Sequence, residues 1–227
     1  MWRRMLLIPV RTPLILLLSQ PKFRELHGST LKSMAETSGI VETGAQEKKL
    51  GEDSTAKGPE RIDCNKELGA LSCNIIPHIL NIYGCSATAR DFEIYAPNAT
   101  FEDPLMCAHG VKQIKSSFYS LPKVFSEAKI VEYSVQENEN SPGNGEILID
   151  NKQHYKIMGK NIDLTTLIKL QVEQGKVIRH EDWWNKKPLW NRHTVHVPLV
   201  GHIVEGMRRC SMLLTHPLMG CGKDPNP

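Results

Sequence analysis

The stretch RHEDWW, Arg179 to Trp184, places a histidine, two carboxylates and two tryptophans on consecutive positions near the end of a region with apolar patterning. In a strand, side chains alternate between faces, so His180, Asp182 and Trp184 share one face while Arg179, Glu181 and Trp183 share the other. A histidine and a carboxylate on one face form an acid–base pair if that face lines an apolar cavity. At the mouth of a cavity the same two are a satisfied polar pair. Asp103 stands before Pro104 at the end of ATFEDP, where a carboxylate caps a turn. Trp183, Trp184 and Trp190 read as packing residues, since a large aromatic side chain at a strand end covers core or interface. His193 and His196 in HTVH have a helical ligand spacing, but Pro198 follows and no carboxylate accompanies them, so no metal ion is expected.

Elements to position these groups follow from the hydrophobic pattern. Ile75, Ile76, Ile79, Leu80 and Tyr83 recur at helical spacing, with Pro77 tolerated in a first turn and Gly84 stopping the helix. Ser86 offers an N-cap for a second helix over ATARDFEIY. ATFEDP is a short strand, and a third helix follows Gly110, with Val111, Ile114, Phe118 and Leu121 on one face and Pro122 closing it. Four strand candidates come next: AKIVEYSVQEN, GEILIDNKQHYKIMG, IDLTTLIKLQVE and KVIRHEDWW. The turn signals NSPGNG, GKN and EQGK separate them, which predicts an antiparallel meander. Helices first and hairpin-linked strands after make an α+β fold, with helices on one face of a curved sheet. Beyond Pro198, Leu199, Val200, Ile203, Val204 and Met207 form one apolar helical face with Arg208 and Arg209 off it. The expectation is a helix docked on the domain or on a partner subunit; a peripheral membrane contact is the rival reading, not preferred because the basic face is sparse.

The net charge of +3 is unevenly distributed. Residues 1–33 carry six basic side chains against Glu25 alone, leaving 22 basic and 24 acidic residues in the remainder. The body is slightly acidic and offers no basic stripe, so nucleic acid is not an expected partner. The Arg-rich, acid-poor start fits a transit peptide for a mitochondrion or plastid. A secretory signal is the rival reading, and a cytoplasmic protein starting at Met34, in MAETSG, is a third. Pro9, Arg11 and Pro13 break the apolar runs, so no transmembrane segment is expected there. Residues 34–63 are polar and poor in large apolar side chains, the composition of a disordered linker. The folded domain is expected over 64–197 and a C-terminal helix and tail over 198–227. Six cysteines without a C-x-x-C pair read as free thiols, mostly buried.

The block DFEIYAPNATFEDPLMCAHGVKQIKSSFY resembles the nuclear transport factor 2-like superfamily, closest to its ketosteroid isomerase and SnoaL-like cyclase branches. Asp103 and Pro104, then His109, Gly110, Gln113, Ile114, Phe118 and Tyr119, carry that resemblance. LTTLIKLQVEQGKVIRHEDWW resembles the closing hairpin of the same fold, and the whole covers about residues 65–190. The resemblance implies a cone-shaped sheet wrapped around N-terminal helices, an apolar pocket, an apolar small molecule as ligand without a cofactor, and a homodimer through the sheet. It implies Asp103 as the general base of an isomerase, with Tyr119 in the network behind an oxyanion hole. The two direct oxyanion donors of such isomerases fall on Ile79 and Leu167, which removes stabilisation of a few kcal/mol apiece. It also aligns Trp184 with a pocket-lining tryptophan, which aims His180 and Asp182 inward, as in dehydratase relatives that combine His and Asp with tyrosines. His78, Tyr83 and Phe118 complete the expected lining. Two readings stand: a binding or assembly module, and a cofactor-independent isomerase, cyclase or dehydratase.

Overall fold

The structure, a computed structural model, describes residues 69–191, 194 and 198–225. The transit peptide, the linker and the HTVH histidines lie outside the described residues. The chain runs α1 (Ala70–Tyr83), a 3-10 helix (Ala89–Ile94), β1 (Tyr95–Glu102), β2 (Cys107–His109), α2 (Val111–Tyr119), α3 (Leu121–Val124), β3 (Glu127–Ser141), β4 (Asn144–Ile157), β5 (Lys160–Glu173), β6 (Lys176–Trp184) and α4 (Pro198–Leu218), with a last 3-10 turn at Gly220–Gly222. One six-stranded sheet in the order β2-β1-β6-β5-β4-β3 curves around α1 and α2. This is the α+β cone expected from the sequence, with the sheet left unclosed.

The meander β3 to β6 is antiparallel throughout. Its last two turns place Met158–Gly159 and Gln174–Gly175 at positive φ, the tight hairpin geometry that matches strand twist. The first turn uses Gly143 at φ 79° after Pro142. Sequence spacing gave no sign that β1 would lie parallel to β6, with Phe101 opposite His180 and Glu102 opposite Glu181. That pairing joins the first half of the chain to the stretch RHEDWW.

The core is the inner face of this sheet against α1 and α2. Ile75, Ile79, Ile82, Ile114, Ile147, Ile149, Ile168 and Leu170 are fully enclosed. Burial of such side chains stabilises by about 1.5–3 kcal/mol each. Glu137 of β3 reaches the start of α1 and accepts the Ser72 amide at 2.8 Å, placing negative charge at the helix N-terminus.

Several expectations are corrected. α1 begins five residues before Ile75, so Pro77 lies in its interior. The second helix is a six-residue 3-10 helix whose cap is Thr88, not Ser86. The Thr88 amide and hydroxyl both donate to Asp91 Oδ2 at 2.8 Å, while the Ser86 hydroxyl donates to the Asn81 carbonyl at 3.3 Å. α2 ends at Tyr119, and Pro122 sits within α3. The five described cysteines are free, but half-buried or exposed.

For α4 the structure corrects one of the two expectations, docking of its apolar face on the domain. It lies on the body through Arg208, Met212 and Thr215, while Leu199, Ile203 and Met207 face outward. Arg208 Nη1 donates to Glu102 Oε2 at 3.1 Å and to the Asp103 carbonyl at 3.3 Å, and Nη2 donates to the Trp190 carbonyl. Arg209 Nη1 donates to the Cys107 carbonyl at 3.0 Å. The surface that α4 covers is the edge strand β2 and α2, where the Cys107, Asp103 and Trp190 carbonyls accept from the two arginines and Met212 packs by Ser117.

Candidate functional site

The sheet register lays inward side chains in rows. Phe101, His180, Leu170 and Ile147 form one row; Asp182, Ile168 and Ile149 form the next; Trp184, Thr166 and Asn151 form a third. The rows become polar toward one end of the cone, because β4 switches from Ile147 and Ile149 to Asn151 and Gln153 at the same parity. Tyr155 follows, half-buried, its hydroxyl donating to Gln153 Oε1 at 2.6 Å. Gln153 Nε2 donates to Thr166 Oγ1 at 2.9 Å, and Thr166 donates to Asn151 Oδ1 at 3.1 Å. Such a chain fixes each hydroxyl and amide in one orientation.

His180 is 0 % exposed. The Tyr95 hydroxyl lies 2.8 Å from its Nδ1 and the Tyr83 hydroxyl 3.1 Å from its Nε2. Burial holds the imidazole neutral, with its pKa pushed down to about 3. A neutral ring has one donor and one acceptor nitrogen, so one tyrosine donates to it and the other accepts. The two neutral tautomers differ only in which tyrosine donates, and the distances fit both. Rings pack closely around the imidazole: Phe101 at 4.9 Å and Phe118 at 6.0 Å between centroids.

Asp182 is 3 % exposed. Its Oδ2 accepts from Trp184 Nε1 at 3.3 Å, and its Oδ1 has no hydrogen-bond partner among the described residues. Burial, and then the charge of nearby Asp103, push its carboxyl up to about 7, although Thr166, Trp184 and Tyr83 beside it favour the ionised form. Asp103 is half-buried, and burial pushes it up to about 6 against the opposing pull of the Leu105 and Met106 amides and of Arg208. Its Oδ1 accepts from those amides at 2.7 and 2.5 Å, closing the turn after β1. Asp103 therefore caps a turn and is also one of two carboxyls held near neutrality in the same interior. The Tyr83 and Tyr155 hydroxyls sense both carboxylates, and burial first, then those charges, push their pKa values well above the ordinary value. Carboxyls displaced toward neutral pH occur both in acid–base sites and in structural polar networks.

Other expected residues lie elsewhere. Tyr119 turns away from Asp103: its hydroxyl donates to Asp224 Oδ1 in the tail at 2.7 Å, beside Lys115, which binds the same oxygen. His78 is on the outer side of α1, its Nδ1 2.9 Å from Asp91 Oδ1. Burial alone would raise the Asp91 carboxyl, but bonds from His78, Thr88 and Asn81 hold it below its ordinary value. Leu167 sits on the outer face opposite Trp183, because strand parity puts Thr166 and Ile168 inside. Ile79, Tyr83 and Phe118 are interior, and Trp184 is half-buried at the polar end. Tyr95, Tyr155, Thr166, Gln153 and Asn151 were missed by sequence reasoning. The signal for the last two was polar residues at the inward parity of an otherwise apolar strand.

An open groove of about 670 Å³ runs outside the cone, lined by Phe92, Tyr95, His109, Lys112 and His216 among others. A depression of about 180 Å³ on the outer face of the sheet is lined by Glu146, Lys169, Gln171, Arg179 and Glu181. Neither contains Asp103 or Asp182. Among the described residues, no group of three or more His, Cys, Asp and Glu side chains could hold a metal ion, and no helix is long and apolar enough to cross a membrane.

No family model matches the chain, and no curated protein matches it. Solved structures do. A phenazine biosynthesis-related protein from Pseudomonas aeruginosa is 12% identical, with 56% of this chain and 96% of that one covered at a TM-score of 0.40. A nuclear transport factor 2-like protein from Anabaena variabilis is 11% identical, covering 52% and 88% at a TM-score of 0.45. A protein of ketosteroid isomerase-like fold from Catenulispora acidiphila, solved with trimethylamine, is 11% identical, covering 48% and 83% at a TM-score of 0.40.

Proposed function

We propose that the domain binds an apolar small molecule bearing a carbonyl or hydroxyl group, with that group meeting Asp182 at the polar end of the cone. The observation that carries this reading is the Asp182 Oδ1 atom, buried and without a hydrogen-bond partner among the described residues, beside a carboxyl raised to about 7. An unpartnered buried polar atom costs roughly 1–3 kcal/mol, and a ligand hydroxyl or carbonyl would supply the missing bond. The half-buried Asp103, Tyr155 and Trp184 mark the side from which such a ligand enters.

A second reading, cofactor-independent isomerisation, cyclisation or dehydration, is favoured by the two carboxyls at about 6 and about 7. Groups with pKa values near working pH suit proton removal and return, Asp103 serving as base and Asp182 as acid. His180 then acts on Tyr83 rather than on substrate, since both its ring nitrogens are taken. The homodimer through the sheet that the resemblance implies would have to form on a charged outer face, where Arg179 pairs with Glu181 and Lys169 lies 3.4 Å from Glu146.

The test is mass spectrometry of small molecules that copurify with the full chain and with Asp182→Asn. An apolar carbonyl or hydroxyl compound retained by the first and lost from the second supports binding. The same compound retained equally by both refutes the role of Asp182. For the second reading, the retained compound is incubated with protein in D2O: uptake of deuterium that rises with pH through about 6 and is abolished in Asp103→Asn supports proton transfer, and no uptake refutes it.

A further inference from the structure

α4 carries three charged side chains, Glu205, Arg208 and Arg209, and all three are buried or half-buried toward the body. Its outward side holds none. Leu199, Ile203, Met207, Cys210, Leu214 and Leu218 form one continuous exposed stripe, Leu199 70% and Met207 60% accessible, with Val200 and Leu213 at its flanks. The stripe exposes on the order of 600–700 Å² of side chain, at or beyond the upper end for the largest apolar patch of a monomer and near the ~800 Å² per partner of a standard interface. From Leu199 to Leu218 it extends roughly 28 Å at 1.5 Å per residue.

The spacing within the stripe identifies what covers it. Its six positions are separated by four, four, three, four and four residues, so the order of intervals is the same from either end. Two such helices laid antiparallel about a twofold axis between Arg208 and Arg209 bring Leu199 onto Leu218, Ile203 onto Leu214 and Met207 onto Cys210 of the other copy. Intervals of three and four residues are those of helices crossing at about 20°, and the small Cys210 facing Met207 lets the backbones approach at the centre. Under a twofold axis one patch must complement itself, which this stripe does. A lipid surface fits less well, because the helix turns both arginines inward and leaves no basic rim for headgroups.

We propose that α4 is the interface of a homodimer in which two copies of the chain pair their C-terminal helices antiparallel, leaving the cones on either side. The proposal is independent of the ligand reading above.

Sedimentation velocity on the full chain at tens of micromolar tests it, together with Met207→Asp. The expected result is a dimer for the natural chain and a monomer with unchanged far-ultraviolet circular dichroism for the variant. Ile203→Cys and Leu214→Cys, each carried in a Cys210→Ser background, should give a disulfide-linked dimer when mixed under mild oxidation, and much less when either is oxidised alone. A monomeric natural chain overturns the proposal, whether it floats with phosphatidylcholine–cardiolipin vesicles, as for a lipid contact, or keeps Cys210 shielded from thiol reagents, as for cover by another segment of the chain. A dimer that survives Met207→Asp overturns it too, by showing that the contact lies on another face.

Discussion

Replacing Asp182 by Asn removes a titrating group from the interior while keeping its shape and its acceptor for Trp184 Nε1. In the fold the Asp182 carboxyl titrates near about 7, against an ordinary value of 3.8. A folded-state pKa raised in this way costs stability as pH rises from the unfolded value to the folded one, because the unfolded chain releases its proton first. Between 3.8 and about 7 the full cost is about 4 kcal/mol, an upper bound because part of it is shared with Asp103. The natural chain need not show this as a simple slope. His180, held at about 3 by burial, gains stability with rising pH over the range from 3 to its ordinary 6.5, and the two opposing contributions overlap. The difference between variant and natural chain isolates Asp182. Urea unfolding followed by tryptophan fluorescence should find Asp182→Asn more stable, by a margin that grows by about 2–3 kcal/mol from pH 5 to pH 8. A margin independent of pH, or a variant less stable at pH 8, would refute the assignment of a neutral, uncompensated carboxyl to this position.

Tyr95→Phe leaves a buried His180 nitrogen without its partner and should cost roughly 1–3 kcal/mol in urea unfolding at pH 7, while the exposed Tyr-free position Met158→Ala changes stability little. Thr166→Val interrupts the chain from Gln153 to Asn151 and should cost a similar roughly 1–3 kcal/mol, with the loss visible as faster amide exchange in β4 and β5. Arg208→Ala removes the cation that Glu102 and two carbonyls share; about 3–5 kcal/mol of destabilisation is expected, and limited proteolysis should cut first around α4.

Much of the fold was legible because it rests on local rules. The period-two pattern of β3 to β6 and the glycines of their turns specify hairpins between neighbours in sequence. The alternation in RHEDWW likewise divides His180 and Asp182 from Arg179 and Glu181 without reference to the rest of the chain. Residues whose placement depends on distant partners were not legible. Tyr119 ends on Asp224, more than a hundred positions away. Leu167 was misplaced because an alignment between distant sequences slips easily by one residue, and one residue in a strand reverses the face.

Periodicity and turn chemistry were enough to specify α1, α2, the meander and the parity of the closing strand, but not the 3-10 helix or β2. Tertiary structure alone decided that β1 lies parallel to β6 and brings Asp103 into the interior with Asp182. It also decided that His180 is held between Tyr83 and Tyr95, and that α4 turns its arginines to the body. Each depends on which unsatisfied donors and acceptors a distant surface presents. Asp182 on its own strand is an ordinary acid; the buried cone end around it raises its carboxyl to about 7.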